Sequence, residues 1–288
     1  MRGTSELTFV PDGVLKDVAR RGLSYLDMRR RIEARWAEEN LEEFSRIGND
    51  LKVRLRDGTT FFSGMEEIEE RPNWRFYLPC RLNRWRLFEE LLDIHFRREY
   101  EQYHAPKIGQ VCADVGAHIG LFTVRAARMV GQQGKVIAIE PVAENVRYLR
   151  KNVAANGLKN VIIVEKGAWS STDSLELHGG EYSVSWSFKI PQRKRLLVRV
   201  APLDEVFEQH GLTEIGYMKL DIEGAELEAL HGAERTLVRD DVKLAIAGYH
   251  ILENGKGNRE SITRYLRNLG FHVREKWRKR RIIYAAKS

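Results

Sequence analysis

Cysteine and long apolar runs are scarce in this 288-residue sequence. Its two cysteines, Cys80 and Cys112, lie far apart, so neither a disulfide framework nor a zinc site is indicated, and we expect no metal. No apolar run approaches the ~20 residues of a membrane span. The first residues also lack the apolar stretch of a secretory signal. We therefore expect a soluble, cytoplasmic protein.

The composition is that of a folded, basic protein. Hydrophobic residues make up 43% of the chain, and its length allows one large domain and a smaller one. Charged residues make up 31%, a high fraction that is typical of thermophile proteins. The formal net charge is +7, which makes acidic partners worth considering.

The basic excess is concentrated in three clusters, at residues 71–86, 189–199 and 274–281. Most charge runs are solvated surface. Here there are three clusters, and the first is interleaved with aromatic residues, so a face that binds a polyanion is as well supported as solvated surface. We predict RNA contacts from the following residues: Arg71, Trp74, Arg75, Arg81, Arg84, Arg193, Lys194, Arg195, Arg278, Lys279 and Arg280.

The first 80 residues predict a small α+β appendage, a candidate for RNA binding. Apolar residues recur at helical spacing over residues 14–46. The alternating segments 51–55 and 60–62 flank Asp57-Gly58, which is a hairpin signal. Residues 81–288 form the second predicted domain, beginning with a helix from Trp85 to about Tyr103.

From Gln110 onward, strand and helix patterns alternate, which predicts a parallel sheet with helices on both faces. The expected helices include about Leu121–Met129, Glu144–Ala155, Ala225–Leu237 and Arg259–Leu269, and residues 175–200 read as strands with a basic loop. The last two strands are joined by a short turn, so they must be antiparallel. The fold class is therefore α/β and Rossmann-like.

The motif Asp114-Val115-Gly116-Ala117-His118-Ile119-Gly120 ends an apolar strand and opens a helix. Such a turn presents backbone N–H groups and a helix N-terminus to a ligand. We expect Gly116 to permit the tight turn and Gly120 to let the ligand approach the backbone. Alone the pattern is weak, because it also occurs in loops that bind nothing.

Three carboxylates, Asp114, Glu140 and Asp221, follow predicted parallel strands. The carboxyl ends of such strands form the ligand-binding edge of an open α/β sheet. Glu140 stands where an acid binds a ribose diol, in a dinucleotide or in S-adenosylmethionine. A mouth lined with acids favours the cationic sulfur of S-adenosylmethionine over a pyrophosphate.

The sequence resembles the FkbM type of class I S-adenosylmethionine-dependent methyltransferases. The matching segments are 114–120, Ile139-Glu140-Pro141, Asn152 with Asn156, Leu203-Asp204, 218–226 and 230–233. This resemblance implies a seven-stranded mixed sheet whose last strand is antiparallel. It also implies cofactor contacts from these residues: Asp114, Gly116, Ala117, His118, Gly120, Glu140, Pro141, Ala168, Trp169 and Asp221.

The acceptor side departs from that family. Gly248-Tyr249-His250 stands where a Glu-His pair is common, and the Pro-Pro-aromatic signature of familiar amino-methylating enzymes is absent after the fourth strand. Asp221 or Glu223 could accept a proton or hydrogen bond from the acceptor, Tyr249 could stack on a base, and His250 could shuttle a proton. Alternatively, Glu223 only caps a helix, and Tyr249 only closes the sheet end.

Three functions remain open at the level of sequence. The first is RNA methylation, and the pattern is similar to archaeal FkbM-related enzymes that dimethylate the N4 amine of a cytidine in ribosomal RNA. The second is O-methylation of a sugar or other metabolite. The third is a non-catalytic RNA-binding module, which the intact Asp114, Gly116, Gly120 and Glu140 set opposes.

Overall fold

The computed structural model describes residues 35–64, 86–179, 186–189, 193–250, 257–277 and 281–287. Their strands are β1 (Leu41–Ile47), β2 (Asp50–Leu55), β3 (Thr60–Gly64), β4 (Val111–Val115), β5 (Lys135–Ile139), β6 (Val161–Val164), β7 (Gly167–Ala168), β8 (Asp173–Gly179), β9 (Trp186–Ser187), β10 (Lys194–Ala201), β11 (Tyr217–Leu220), β12 (Lys243–Ala247), β13 (His272–Trp277) and β14 (Arg281–Ala286). Their helices are α1 (Arg86–Leu91), α2 (Leu121–Val130), α3 (Ala143–Ala155), α4 (Leu203–Gln209), α5 (Glu226–His231), α6 (Glu234–Arg239) and α7 (Arg259–Asn268). None of these helices is long and apolar enough to cross a membrane.

Seven strands form the central sheet in the order β13-β14-β12-β11-β4-β5-β6. β14 runs antiparallel to both of its neighbours, whereas the pairs from β12 to β6 are parallel. The predicted α/β class, the Rossmann-like mixed sheet and the antiparallel last strand are confirmed. The parallel strands β4, β5, β11 and β12 are buried nearly throughout, as expected for a sheet covered on both faces, while the edge strand β6 is only partly buried. The strand order reverses between β4 and β11, which locates a crevice at their carboxyl ends.

A smaller sheet of four strands, in the order β7-β10-β8-β9, lies beside the end of the crevice. β8 and β10 are antiparallel, and the short β9 pairs with the carboxyl end of β8. This confirms the extended character predicted for residues 175–200, although residues 180–185 and 190–192 lie outside the described part.

The N-terminal sheet contains β1, β2 and β3, and the predicted hairpin at Asp57-Gly58 is confirmed between β2 and β3. The helix expected to reach residue 46 is wrong at its end: residues 35–40 are helical, but Leu41–Ile47 is a strand paired with β2. Gly48 and Asn49 form the turn that makes this pairing possible, and Gly48 has a φ of +62°. The rest of that helix prediction lies outside the described residues.

The long helix predicted to end near Tyr103 is also wrong, because it stops much earlier. α1 passes into a π-helical turn, Leu92–Phe96, and Arg98 then adopts a left-handed conformation with a φ of +50°. A short 3₁₀ turn, Glu99–Glu101, follows. The break directs Tyr100 into the sheet, where its ring packs on Phe122 at 5.6 Å between centroids.

The single helix predicted over Ala225–Leu237 is divided into α5 and α6. Asp204, in the first turn of α4, accepts hydrogen bonds from the backbone N–H groups of Arg235 and Thr236, both at 2.9 Å. A carboxylate that caps these N–H groups stabilises a new helix start at this point.

Two asparagines, Asn152 within α3 and Asn156 at its C-cap, hold the N-terminal sheet against the rest of the fold. Asn152 Oδ1 accepts from the Phe62 N–H at 2.6 Å, and its Nδ2 donates to the Phe62 carbonyl at 3.0 Å. Asn156 contacts both backbone groups of Thr60 in the same way, at 3.0 and 2.7 Å. Because these residues are four apart, they lie on one helix face and pair with the free edge of β3 as another strand would.

Candidate active site

The glycine loop between β4 and α2 is shaped by two close approaches. Gly116 has a φ of +77°, and a Cβ there would lie 2.0 Å from the carbonyl oxygen of Asp221. Gly120 has a φ of +90°, and a Cβ there would lie 2.5 Å from Leu149 of α3. Gly116 therefore brings the loop against the end of β11, while Gly120 permits packing on α3. The expectation that Gly120 opens space for a ligand is replaced by this packing role.

Asp114 lies behind the glycine loop, fully buried. Its Oδ2 accepts a hydrogen bond from Thr123 at 2.6 Å, and its Oδ1 lies 3.1 Å from Lys219 Nζ. Lys219 also donates to the Gly116 carbonyl at 2.7 Å. This ion pair fixes the loop from beneath, so Asp114 shapes the cofactor cradle without lining it.

Glu140, after β5, is held in place by three donors. Its Oε2 accepts from the His118 backbone N–H at 2.9 Å, and its Oε1 accepts from the Val142 N–H at 3.1 Å and from Asn145 Nδ2 at 3.0 Å. These three donors fix the orientation of both carboxylate oxygens. His118 has a φ of +50°, which turns its N–H toward Glu140.

The region predicted to border the adenine is only partly as expected. Ala168 lines the cavity, but Trp169 does not. The Trp169 ring instead packs edge-on against Phe188, at 5.4 Å between ring centroids. Lys189 Nζ lies 4.7 Å from the centroid of the Trp169 ring. Phe188 and Trp186, from the smaller sheet, supply the aromatic wall.

Asp221, at the end of β11, is surrounded by hydroxyl groups. Tyr100 donates to its Oδ2 at 2.6 Å, and the Tyr249 hydroxyl lies 3.2 and 3.3 Å from its two oxygens. The segments before β4, after β11 and after β12 therefore meet at one carboxylate. Such a group can accept a proton or a hydrogen bond from an acceptor in the cavity.

His250 lies next to this carboxylate and is 5% exposed. Its Nδ1 is 2.9 Å from buried Glu226, and its Nε2 lies 3.5 Å from Asp221 Oδ1 and 3.4 Å from Glu223 Oε2. Burial lowers the pKa of His250, but the negative charges of Glu226 and Glu223 outweigh burial and hold it well above the usual range.

A cavity of about 290 Å³ joins these parts. Its volume is near the lower end for small-molecule sites. The predicted site residues that line it are Gly116, Ala117, His118, Glu140, Pro141, Ala168, Asp221, Glu223 and Tyr249. The predicted residues that do not line it are Asp114, Gly120, Trp169 and His250. The individual roles of all these residues stay predictions.

Several lining residues were missed at the level of sequence. Tyr100 and Phe188 carry no local motif, and they reach the cavity only through long-range folding, whereas Lys219 lies within the matched segment 218–226 but was not predicted as a site residue. Lys219 had one available signal: it is a charged residue inside the apolar strand β11. Glu90 and Asp93, from α1 and the following turn, also line the cavity and add acids to it.

Only some of the residues predicted to contact RNA belong to the described part of the structure. Arg193, Lys194 and Arg195 are exposed at the start of β10. Arg71, Trp74, Arg75, Arg81, Arg84, Arg278, Lys279 and Arg280 lie outside the described residues.

Comparison with known proteins identifies the domain. The family model of the methyltransferase FkbM domain matches residues 114–273, from the glycine motif to β13. The chain belongs to this family. The predicted methyltransferase activity and FkbM resemblance are thereby confirmed at the level of the family, and the acceptor is not.

Individual relatives of this FkbM methyltransferase are distant. Methyltransferase sdnD of Sordaria araneosa is 25% identical over 201 residues, covering 58% of this chain and 76% of that protein. A probable cobalt-precorrin-6B C(15)-methyltransferase (decarboxylating) of Sulfurisphaera tokodaii is 40% identical over 63 residues, covering 22% and 33%.

Solved structures are more distant still. Methyltransferase FkbM from Methylobacillus flagellatus KT has 21% identity and a TM-score of 0.47, and the match covers 69% of this chain but only 53% of that one. Fibrillarin from Aeropyrum pernix, solved with natively bound S-adenosyl-L-methionine, has 15% identity and a TM-score of 0.45, covering 85% and 99%. Similarity at this level carries no conclusion about the acceptor.

S-adenosylmethionine is the predicted methyl donor of this FkbM methyltransferase. The residues present fit it: Glu140 supplies a fixed carboxylate for a ribose diol, and the backbone of the glycine loop borders the same cavity. Acids at Asp221 and Glu223 suit a cationic sulfur at the far end.

Proposed function

We propose that this FkbM methyltransferase methylates RNA, with the N4 amine of a ribosomal RNA cytidine as the specific candidate. One observation carries the proposal. Strand pairing sets Lys194 of β10 opposite Gly179 of β8, and Gly179 opposite Trp186 of β9, which lines the cavity. Two strand spacings amount to about 10 Å. An exposed basic cluster, Arg193-Lys194-Arg195, therefore lies close to the cavity wall, where it could hold phosphates next to an inserted base.

The acceptor end has the chemistry that a nucleobase amine requires. S-adenosylmethionine supplies the electrophilic methyl group when bound. Asp221 offers oxygens that can accept a hydrogen bond from an exocyclic N–H, and Tyr249 offers a ring for stacking. Since methyl transfer is an in-line displacement, holding the amine in position is the main task of these groups.

O-methylation of a metabolite is a second candidate, supported by a different observation. Glu90, Asp93 and Tyr100, all from the segment before β4, line the cavity. The carboxylate of Glu90 adds negative charge, whereas that of Asp93 is paired with Arg97; an acidic wall disfavours phosphate and suits a small neutral acceptor. In this function the basic cluster on β10 is solvated surface.

Product identification decides between the two. The protein is incubated with labelled S-adenosylmethionine and, separately, ribosomal subunits lacking the modification, total tRNA and a metabolite extract, and the labelled product is identified by mass spectrometry. Labelled N4-methylated cytidine from ribosomal RNA is the expected result. Label confined to small molecules would overturn the RNA proposal.

Charge variants test whether the basic cluster beside the cavity contacts RNA. Replacing Arg193, Lys194 and Arg195 by Ala is expected to raise the RNA KM about tenfold or more and to flatten its salt dependence, without changing S-adenosylmethionine affinity. The matched control replaces Lys135 and Lys159, exposed lysines near the amino ends of β5 and β6, away from the crevice. Equal effects in both variants would contradict a specific role for the cluster.

The predicted cytoplasmic location and thermophile character stay predictions.

A further inference from the structure

Asp221, Glu223 and His250 form a cluster beside the cavity. One ligand atom from each residue lies within 4.8 Å of the other two. His250 Nε2 is buried between two carboxylate oxygens, and among the described residues it has no partner at ordinary hydrogen-bond distance. Its distances to them, 3.5 Å and 3.4 Å, are longer than the ~2.7–3.2 Å of a normal hydrogen bond.

These separations match the edges of a metal coordination shell. Two ligand atoms about 2.0–2.1 Å from a tetrahedral Zn²⁺ are about 3.4 Å apart. The side chains of Asp221 and Glu223 remain 14% and 30% exposed, and both line the cavity, so a cation here would keep an open side for a substrate atom.

The surroundings of His250 also resemble those of a ligating histidine. Metal-bound imidazole normally donates its other ring N–H to a carboxylate, which fixes the ring and makes it more basic. Glu226 occupies that position at 2.9 Å from Nδ1 and is fully buried. Asn258 in turn donates to the second oxygen of Glu226 at 2.5 Å.

The backbone holds the third ligand in place. Glu223 has a φ of +52°, and its carbonyl accepts a hydrogen bond from Ser187 at 2.5 Å. The N–H groups of Ile222 and Gly224 donate to Glu226 Oε1 at 3.1 and 3.2 Å. The acid that orients His250 thus also shapes the turn that carries Glu223.

We propose that Asp221, Glu223 and His250 form a binding site for a first-row divalent transition metal, such as Mn²⁺, Co²⁺ or Zn²⁺. One imidazole and two carboxylates suit these ions better than Mg²⁺ or Ca²⁺, which prefer all-oxygen sets. The cation would be a Lewis acid at the acceptor end, able to bind an acceptor oxygen. The site does not depend on whether the acceptor is RNA, so its failure and the failure of the RNA proposal are separable.

Metal binding is measured on the full chain without donor or acceptor. After chelation and dialysis, titration with Co²⁺ is expected to bind one equivalent and to give d–d absorption bands typical of nitrogen and oxygen ligands. Mn²⁺ and Zn²⁺ should compete for the same site, while Mg²⁺ should not. No saturable binding below millimolar Co²⁺, Mn²⁺ or Zn²⁺ would overturn the proposal.

Variants identify the ligands. Glu223→Gln, at a partly exposed position, is expected to weaken Co²⁺ binding at least about tenfold and to shift the d–d bands. His250→Gln should weaken it further if the variant folds, and the Glu223 variant keeps the test decisive if it does not. The matched control is Glu228→Gln, on α5 near the cluster, where Glu228 contacts Ser170 and Lys189 instead. Unchanged Co²⁺ affinity and spectrum in Glu223→Gln would refute the assignment.

Discussion

The two ends of the cavity are constructed differently. At the cofactor end, the loop and Glu140 are held by backbone groups of the contiguous motif after β4 and of the turn after β5, and by Lys219 of β11, which donates to the Gly116 carbonyl. At the acceptor end, Asp221 is held by side chains from segments more than one hundred residues apart, since Tyr100 is one of them. The first end is a local structure that a motif can encode. The second exists only in the folded protein, and it meets the first where Gly116 approaches the Asp221 carbonyl.

The largest effect is expected from adding a side-chain carbon to the glycine loop at Gly116. Gly116→Ala would place a Cβ on the Asp221 carbonyl, so we expect S-adenosylmethionine affinity, measured by calorimetry, to fall roughly 100-fold or more. Gly109→Ala is the control, because Gly109 has a similar φ of +82° with nothing within 4 Å of its Cβ position. Both variants carry the ~1 kcal/mol backbone cost of a left-handed Ala. Equal affinities in the two would remove the close approach from the explanation.

The next effect separates the two ends. Asp221→Asn keeps the shape but removes the charge that Tyr100 and Tyr249 contact, so we expect the single-turnover methyl-transfer rate to fall about 100-fold or more. Affinity for S-adenosylmethionine should change only about threefold if Asp221 acts chiefly on the acceptor. The control is Asp241→Asn, an exposed residue just before β12. A loss of cofactor affinity as large as the loss of rate would show that the two ends are not separable at this residue.

Glu140→Gln tests the cofactor end by itself. An amide in place of the carboxylate cannot accept all three hydrogen bonds and carries no charge for a ribose diol. Since a hydrogen bond to a charged group contributes about 1.5–3 kcal/mol, we expect S-adenosylmethionine affinity to fall about 10- to 100-fold. At saturating cofactor the transfer rate should recover. Glu144→Gln, an acid in the first turn of α3, is the control, and an equal loss there would point to general electrostatics.

The smallest effects compare the two tyrosines at the acceptor end. Tyr100→Phe removes a 2.6 Å hydrogen bond to Asp221 and should lower the transfer rate about tenfold, whereas Tyr249→Phe removes longer contacts and should lower it about threefold. Tyr265→Phe is the control, since its hydroxyl contacts Glu234 on an exposed surface. The reverse ranking would mean that Tyr249 contacts the acceptor itself.

The sequence predicted most of the central fold because its signals were local and periodic. Alternating β and α segments, with a closing hairpin, were sufficient for the class and for the antiparallel last strand. The errors came where tertiary contacts overrode periodicity. The helix expected to continue to Tyr103 breaks so that Tyr100 can reach Asp221. The helix expected to reach residue 46 gives way at Leu41 to β1, which the Gly48-Asn49 turn pairs with β2.

The candidate site, like the fold, was predicted where local signals position a residue and missed where distant contacts do. Nine of the predicted residues line the cavity, because eight of them follow a strand of the parallel sheet or belong to the glycine motif, and Ala168 lies in β7 at the near end of the smaller sheet. Trp169 follows β7 in the same manner, yet its ring packs against Phe188, and no spacing rule indicates side-chain direction in a loop. Lys219 and Tyr100 were missed because their partners are distant in sequence.

The asparagine pair of α3 has a consequence for how this protein can be divided or transplanted. Asn152 also donates to the Ile119 carbonyl, at 2.8 Å, inside the glycine loop. One buried amide thus belongs at once to the edge of β3, to α3 and to the cofactor cradle. A shortened chain that begins after residue 64 would lose both hydrogen bonds between Asn152 and Phe62, and each contributes about 0.5–1.5 kcal/mol. The N-terminal sheet is therefore not a module that evolution or an engineer could exchange freely, since a replacement would need to offer Asn152 and Asn156 a matching strand edge.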